Sequence, residues 1–153
     1  MKTIVLSMAT AMLLSSCSHE PTANIQESGT DAPISTKHDT PDNPLGIETD
    51  HGKKWKVDAA MMAHIQKMEE GLRSFSGSSL PEFKTLAQQT NGHLNELTSS
   101  CTMSGRAHDE LHKWLVPFLD LATDFEKAEN ETAAASKLTA IKKQMEVFHQ
   151  YFE

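Results

Sequence analysis

The segment 58–75, DAAMMAHIQKMEEGLRSF, is the clearest indication of the fold class of this 153-residue chain. Its large apolar residues follow one another at spacings of four, three, four and three, the period of a helix with one apolar face. They are Met61, Ile65, Met68, Leu72 and Phe75. Asp58 stands at the start as a candidate N-cap. The segment therefore predicts one amphipathic helix that needs partners.

Three further helices are predicted after it. Ser79-Leu80-Pro81-Glu82 has the pattern of a capping box and starts a helix that reaches about Cys101. The break TMSG, with Ser104 as a cap, precedes a third helix, and the turn KAENE precedes a fourth. No period-two strand pattern occurs in this half. We predict an all-α, up-down-up-down antiparallel four-helix bundle over residues 55–153.

The N-terminus has the pattern of an export signal. Lys2 is followed by an apolar run from Ile4 to Leu14, which is too short to span a bilayer. The run ends in Leu14-Ser15-Ser16-Cys17, which resembles the lipobox of bacterial lipoproteins. The resemblance implies a signal peptide over residues 1–16 and a lipid anchor on Cys17. It also implies a place in the cell envelope, at the outer membrane facing the periplasm, because serine rather than aspartate follows the cysteine.

Residues 17–54 are predicted to form the lipidated cysteine and a disordered tether. The segment carries four prolines and few large apolar residues, so it cannot bury enough surface to offset its ordering entropy. The net charge of −7 and the lack of a basic stripe argue against a nucleic-acid partner.

The stretch 101–114, CTMSGRAHDELHKW, joins a thiol, a thioether and two imidazoles. It resembles a CTMxGxAHDxLHxWL segment of small exported bacterial four-helix proteins. The resemblance implies that the stretch is one unit and implies no particular activity. If lipidation occupies Cys17, Cys101 has no partner within the chain for a disulfide.

The predicted topology brings further candidate ligands to this stretch. In an antiparallel bundle the start of the first and third helices and the end of the second and fourth share one end. Cys101 and His149 are predicted to point inward, and His108 and His112 to share one helical face. The candidate metal ligands at this end are Cys101, His112, His108, Met103, His64, His149 and Met61.

Thiolate, thioether and imidazole together favour copper, above all Cu(I). We therefore predict a lipid-anchored envelope protein that binds a soft metal for tolerance or delivery, and not an enzyme. The same methionines are also typical core residues, and an inward histidine is often only hydrogen-bonded.

Three alternatives remain open at this stage. Met61 and His149 stand where proteins similar to four-helix b-type cytochromes place their axial ligands, which implies haem b. A cofactor-free structural or redox lipoprotein would use Cys101 to reach a partner protein. A Cys–His hydrolase would use Cys101 and His112, although no oxyanion-hole motif accompanies them.

Overall fold

A computed structural model describes residues 43–153 of the chain. The predicted signal peptide, Cys17 and the tether up to residue 42 lie outside the described residues. Four helices occupy most of the described part: α1 (Ala59–Ser74), α2 (Leu80–Ser99), α3 (Gly105–Glu126) and α4 (Glu131–Tyr151). They pack as an all-α bundle, and residues 43–153 contain no strand. The predicted fold class is confirmed.

Local signals in the sequence explain where the helices begin. Before α2, the carboxylate of Glu82 accepts hydrogen bonds from the backbone N–H (2.9 Å) and the hydroxyl (2.6 Å) of Ser79. At α4, the side chain of Asn130 accepts from the N–H of Ala133 (2.9 Å). In both cases a backbone N–H group at the start of a helix, which has no acceptor within the helix, gains one from a side chain.

The core is aromatic where α3 and α4 meet. Trp114 stacks on Phe118 at a centroid distance of 4.7 Å and contacts Phe148 at 4.9 Å. Phe148 in turn stacks on Phe152 (5.2 Å). The indole N–H of Trp114 donates to the carbonyl of Gln144 (2.8 Å), so the buried ring keeps no unpaired polar atom.

An open seam lies between α1 and α4. Glu69 of α1 contacts His149 of α4 across it, and Leu72 and Met145 line the same opening. All four residues belong to the C-terminal half of their helices.

The packed region begins before residue 55, so the predicted boundary of the tether is wrong. Ile47 is only 1% exposed and belongs to the core. The backbone N–H of Glu48 donates to Glu110 of α3 (2.8 Å), and the carbonyl of Glu48 accepts from the indole of Trp55 (2.6 Å). Composition averaged over the segment could not reveal that one apolar residue, Ile47, is buried, or that the backbone N–H of Glu48 after it donates to a carboxylate 62 residues away.

The two ends of the packed region are joined by backbone hydrogen bonds. The N–H of Trp55 donates to the carbonyl of Tyr151 (2.7 Å), and the N–H of Glu153 donates to the carbonyl of Trp55 (2.8 Å). Trp55 and Phe152 form an isolated parallel bridge. The start of α1 is thereby held beside the end of α4. None of the helices within residues 43–153 combines the length and apolar character of a membrane span.

Candidate functional site

The turn between α2 and α3 is held to the start of α1. The carboxylate of Asp58 accepts hydrogen bonds from the backbone N–H (2.8 Å) and the hydroxyl (2.7 Å) of Thr102. These bonds stabilise the ionised form and hold the pKa of Asp58 below its usual value. Asp58 does occupy the N-cap position of α1, as predicted, but its side chain binds this turn instead of the helix. The backbone around Cys101 and Met103 is thus positioned from α1.

Cys101 and Met103 flank Thr102 in this turn. Both side chains are partly buried and pack against the edge of the core. Cys101 is a free cysteine within the described residues. Cys101 was predicted to point inward, and its side chain is instead partly buried and partly exposed.

His108 and His112 form a pair on α3. Their ring centroids are 4.3 Å apart with an edge-to-face inclination of 60°, as the i, i+4 spacing predicts. His108 is half-buried and His112 is exposed. Neither ring forms a hydrogen bond with another residue of the range 43–153. The ring nitrogens are therefore available to a ligand from solvent.

His149 does not join these residues, and the prediction that it points inward is wrong. Its side chain is 48% exposed and its Nε2 is paired with the carboxylate of Glu69 on α1. The neighbouring Phe148 occupies the inward position instead. A helical stripe gives an angle only to within about one residue. His149 lies one residue beyond the buried Phe148, at the open seam between α1 and α4.

Met61 lies in the core and is only 1% exposed. His149, in contrast, is 48% exposed and contacts Glu69, which lies eight residues farther along α1 than Met61. Met68 and Met145 are core residues as well.

His64 has a partner that sequence reasoning missed. Its ring lies 5.8 Å from that of His93 on α2, with the two planes inclined by 45°. Gly71 of α1 lies opposite Leu86 of α2. His64 and His93 are each two helical turns farther from the α1–α2 loop, so they lie opposite one another in the same way. The signal was present in the sequence, because the two histidines stand at similar distances from the α1–α2 break. To predict the pair, one must also know the register between α1 and α2.

The environment of this second pair is partly desolvated. Burial lowers the pKa of His93, and the nearby charges of His64 and Lys67 lower it further, while Glu96 opposes them. The Nδ1 atom of His64 is buried and has no hydrogen-bond partner among the described residues. Such an atom is rare in a native fold and calls for an explanation.

The seam between α1 and α4 contains an open cavity of about 370 Å³. Leu72 and Met145 supply its apolar floor, and charged side chains of both signs surround them. The charged residues are Glu69, Arg73, Lys142 and Glu146, and His149 also lines the opening.

The structure thus divides the predicted cluster into separate places. Cys101 and Met103 lie in the α2–α3 turn, and His108 and His112 lie near the start of α3. His64 lies with His93, His149 with Glu69, and Met61 in the core. In residues 43–153, no three His, Cys, Asp or Glu side chains form a group arranged to hold a metal ion. No family model, curated protein or solved structure matches the chain.

Proposed function

We propose that this protein is a lipid-anchored envelope protein that binds a soft transition metal ion for metal tolerance or delivery. The favoured ion is copper as Cu(I). The proposed ligands lie on the α2–α3 turn and the start of α3. They are Cys101, Met103, His108 and His112. The lipid on Cys17 would hold the domain at the outer membrane, facing the periplasm.

The observation that carries the proposal is the His108–His112 pair, whose rings have no hydrogen-bond partner in the described region and lie 4.3 Å apart. A metal bound at about 2.0–2.1 Å from nitrogen lies roughly 3.2 Å from the ring centroid, so two rings that share an ion have centroids about 5.2–6.4 Å apart. The rings of His108 and His112 lie about 1 Å closer than this, and a change of rotamer at the exposed His112 would separate them enough to share one ion.

Sulfur ligands decide which metal is preferred. Thiolate and thioether groups select Cu(I), and the turn carries one of each, both partly accessible. In an oxidising envelope, a free thiol is exposed to oxidation and mispairing. Metal ligation by Cys101 would give that thiol a protected role.

The test is a Cu(I) competition titration of the full chain, purified in detergent, against a coloured Cu(I) chelator. Cys101→Ser and the double variant His108→Gln/His112→Gln should each weaken binding at least tenfold, about 1.4 kcal/mol. His149→Gln serves as the matched control, because this histidine is exposed and lies outside the turn. Identical titration curves for wild type and Cys101→Ser would refute a sulfur-ligated site.

The lipid anchor is tested separately. Cys17→Ala should move the protein from the membrane fraction to the soluble fraction of cells, and mass spectrometry of the wild-type N-terminal peptide should detect acyl groups on Cys17. A wild-type protein that is soluble and carries no lipid would refute the anchor and leave the metal proposal standing.

A further inference from the structure

We propose that His64 and His93 form a second metal site, a two-histidine clip that binds a divalent transition metal ion such as Zn²⁺ between α1 and α2. The proposal does not depend on the function assigned to the α2–α3 turn. Cys101 lies eight residues beyond His93, which corresponds to about 12 Å along a helix. The two sites therefore use different side chains at different levels.

The separation of the rings suits one shared ion. With the centroid roughly 3.2 Å from a metal bound at about 2.0–2.1 Å, tetrahedral ligands place two centroids about 5.2 Å apart and linear ligands about 6.4 Å apart. The observed 5.8 Å lies between these limits. The two rings come from different helices, so their approach is a product of packing and not of helical spacing.

The unpartnered nitrogen of His64 is the second, independent observation. Its Nδ1 is buried and meets no hydrogen-bond partner in the described part of the chain. An unsatisfied buried polar atom costs free energy that a bound ion would recover, either by ligating this nitrogen directly or after a flip of the ring. Packing alone gives no reason to place a histidine there in preference to an apolar residue.

A metal ion bound by His64 and His93 would take its remaining ligands from water. No third His, Cys, Asp or Glu side chain of residues 43–153 completes a group with the pair. Glu96 acts electrostatically on His93 and attracts a cation, whereas Lys67 repels one. Zinc is almost always four-coordinate in proteins, so two imidazoles would leave two positions for water and the ion would exchange with solvent.

The test uses the full chain in a His112→Gln background, so that the pair on α3 cannot bind the probe. Zn²⁺ alone, added at about a hundredfold excess over its Kd, should raise Tm by several degrees, because the ion binds the folded hairpin and not the separated helices. His64→Gln and His93→Gln, each added to this background, should abolish the rise. His149→Gln in the same background is the matched control and should keep it.

A spectroscopic measurement avoids any dependence on how the variants fold. In the His112→Gln protein, substoichiometric Cu²⁺ should broaden the imidazole NMR signals of His64 and His93 together. The proposal is overturned if Zn²⁺ leaves Tm unchanged, if His93→Gln responds as its parent does, or if the two imidazole signals broaden independently. Replacing Lys67 with Ala should lower the Zn²⁺ concentration needed for half of the Tm shift, and an increase would also contradict the site.

Discussion

Glu110 is predicted to hold the segment before α1 onto the bundle. Its side chain is 4% exposed, and its carboxylate accepts from the N–H of Glu48 (2.8 Å) and from the ammonium of Lys113 (2.9 Å to each oxygen). Lys113 also donates to the carbonyl of Gly46 (2.9 Å). Glu110→Ala removes this acceptor and leaves a backbone N–H without a partner.

The size of the effect follows from these contacts. Hydrogen bonds to a charged group are worth about 1.5–3 kcal/mol, and breaking a buried ion pair costs about 3–5 kcal/mol. The lower range applies here, because the side chain of Lys113 is 38% exposed and can turn its ammonium to water. We expect Glu110→Ala to lower the free energy of unfolding by about 2–3 kcal/mol. Glu110→Gln keeps an acceptor oxygen and should cost about half as much.

Urea unfolding followed by tryptophan fluorescence measures this loss, and limited trypsin digestion measures the local part of it. Lys53, Lys54 and Lys56 lie in the segment that Glu110 anchors, so the variant should be cleaved there faster than the wild type. Lys137→Met is the control, because Lys137 is 37% exposed, much like Lys113, but pairs with Asp124 and not with this segment. A Glu110→Ala protein within about 0.5 kcal/mol of wild type, with unchanged cleavage, would refute the anchoring role.

Three further outcomes are expected. Phe118→Ala should destabilise the bundle by about 3–5 kcal/mol in urea unfolding, because the ring is fully buried against Trp114; a loss below about 1 kcal/mol would contradict that packing. Asp58→Asn should reduce the loss of stability on acidification, because the pKa of Asp58 is lower in the folded protein than in the unfolded chain. The ionised carboxylate therefore stabilises the fold above the unfolded-state pKa, and this stabilisation is lost as the pH falls through the folded-state pKa. Parallel acid titrations of Asp58→Asn and wild type would contradict the contact with Thr102. His149→Gln should change stability by less than about 1 kcal/mol, because its ion pair is exposed; a larger change in urea unfolding would mean that the pair is effectively buried.

The helices were predictable because their signals are local. The apolar stripe of α1 is buried as its spacing indicates, and Glu82 caps the start of α2 from within four residues of sequence. The pairing of His108 with His112 was predictable for the same reason, because one helical turn sets their distance. Such features need only the geometry of a single helix.

The composition of the segment 43–54 was misleading. A disordered tether and a docked strand-like segment have similar composition, and the difference here rests on Ile47 and on the distant carboxylate of Glu110. A contact between residues that are far apart in sequence cannot be derived from the average properties of either segment.

Periodicity and short spacing in the sequence are enough to predict the all-α bundle, the approximate limits of its helices and the His108–His112 pair on one helical face. Which helix faces meet is a property of the tertiary packing alone. It placed His149 beside Glu69, and it brought His93 to His64, because the register between two helices depends on how their side chains interdigitate and not on the pattern of either one.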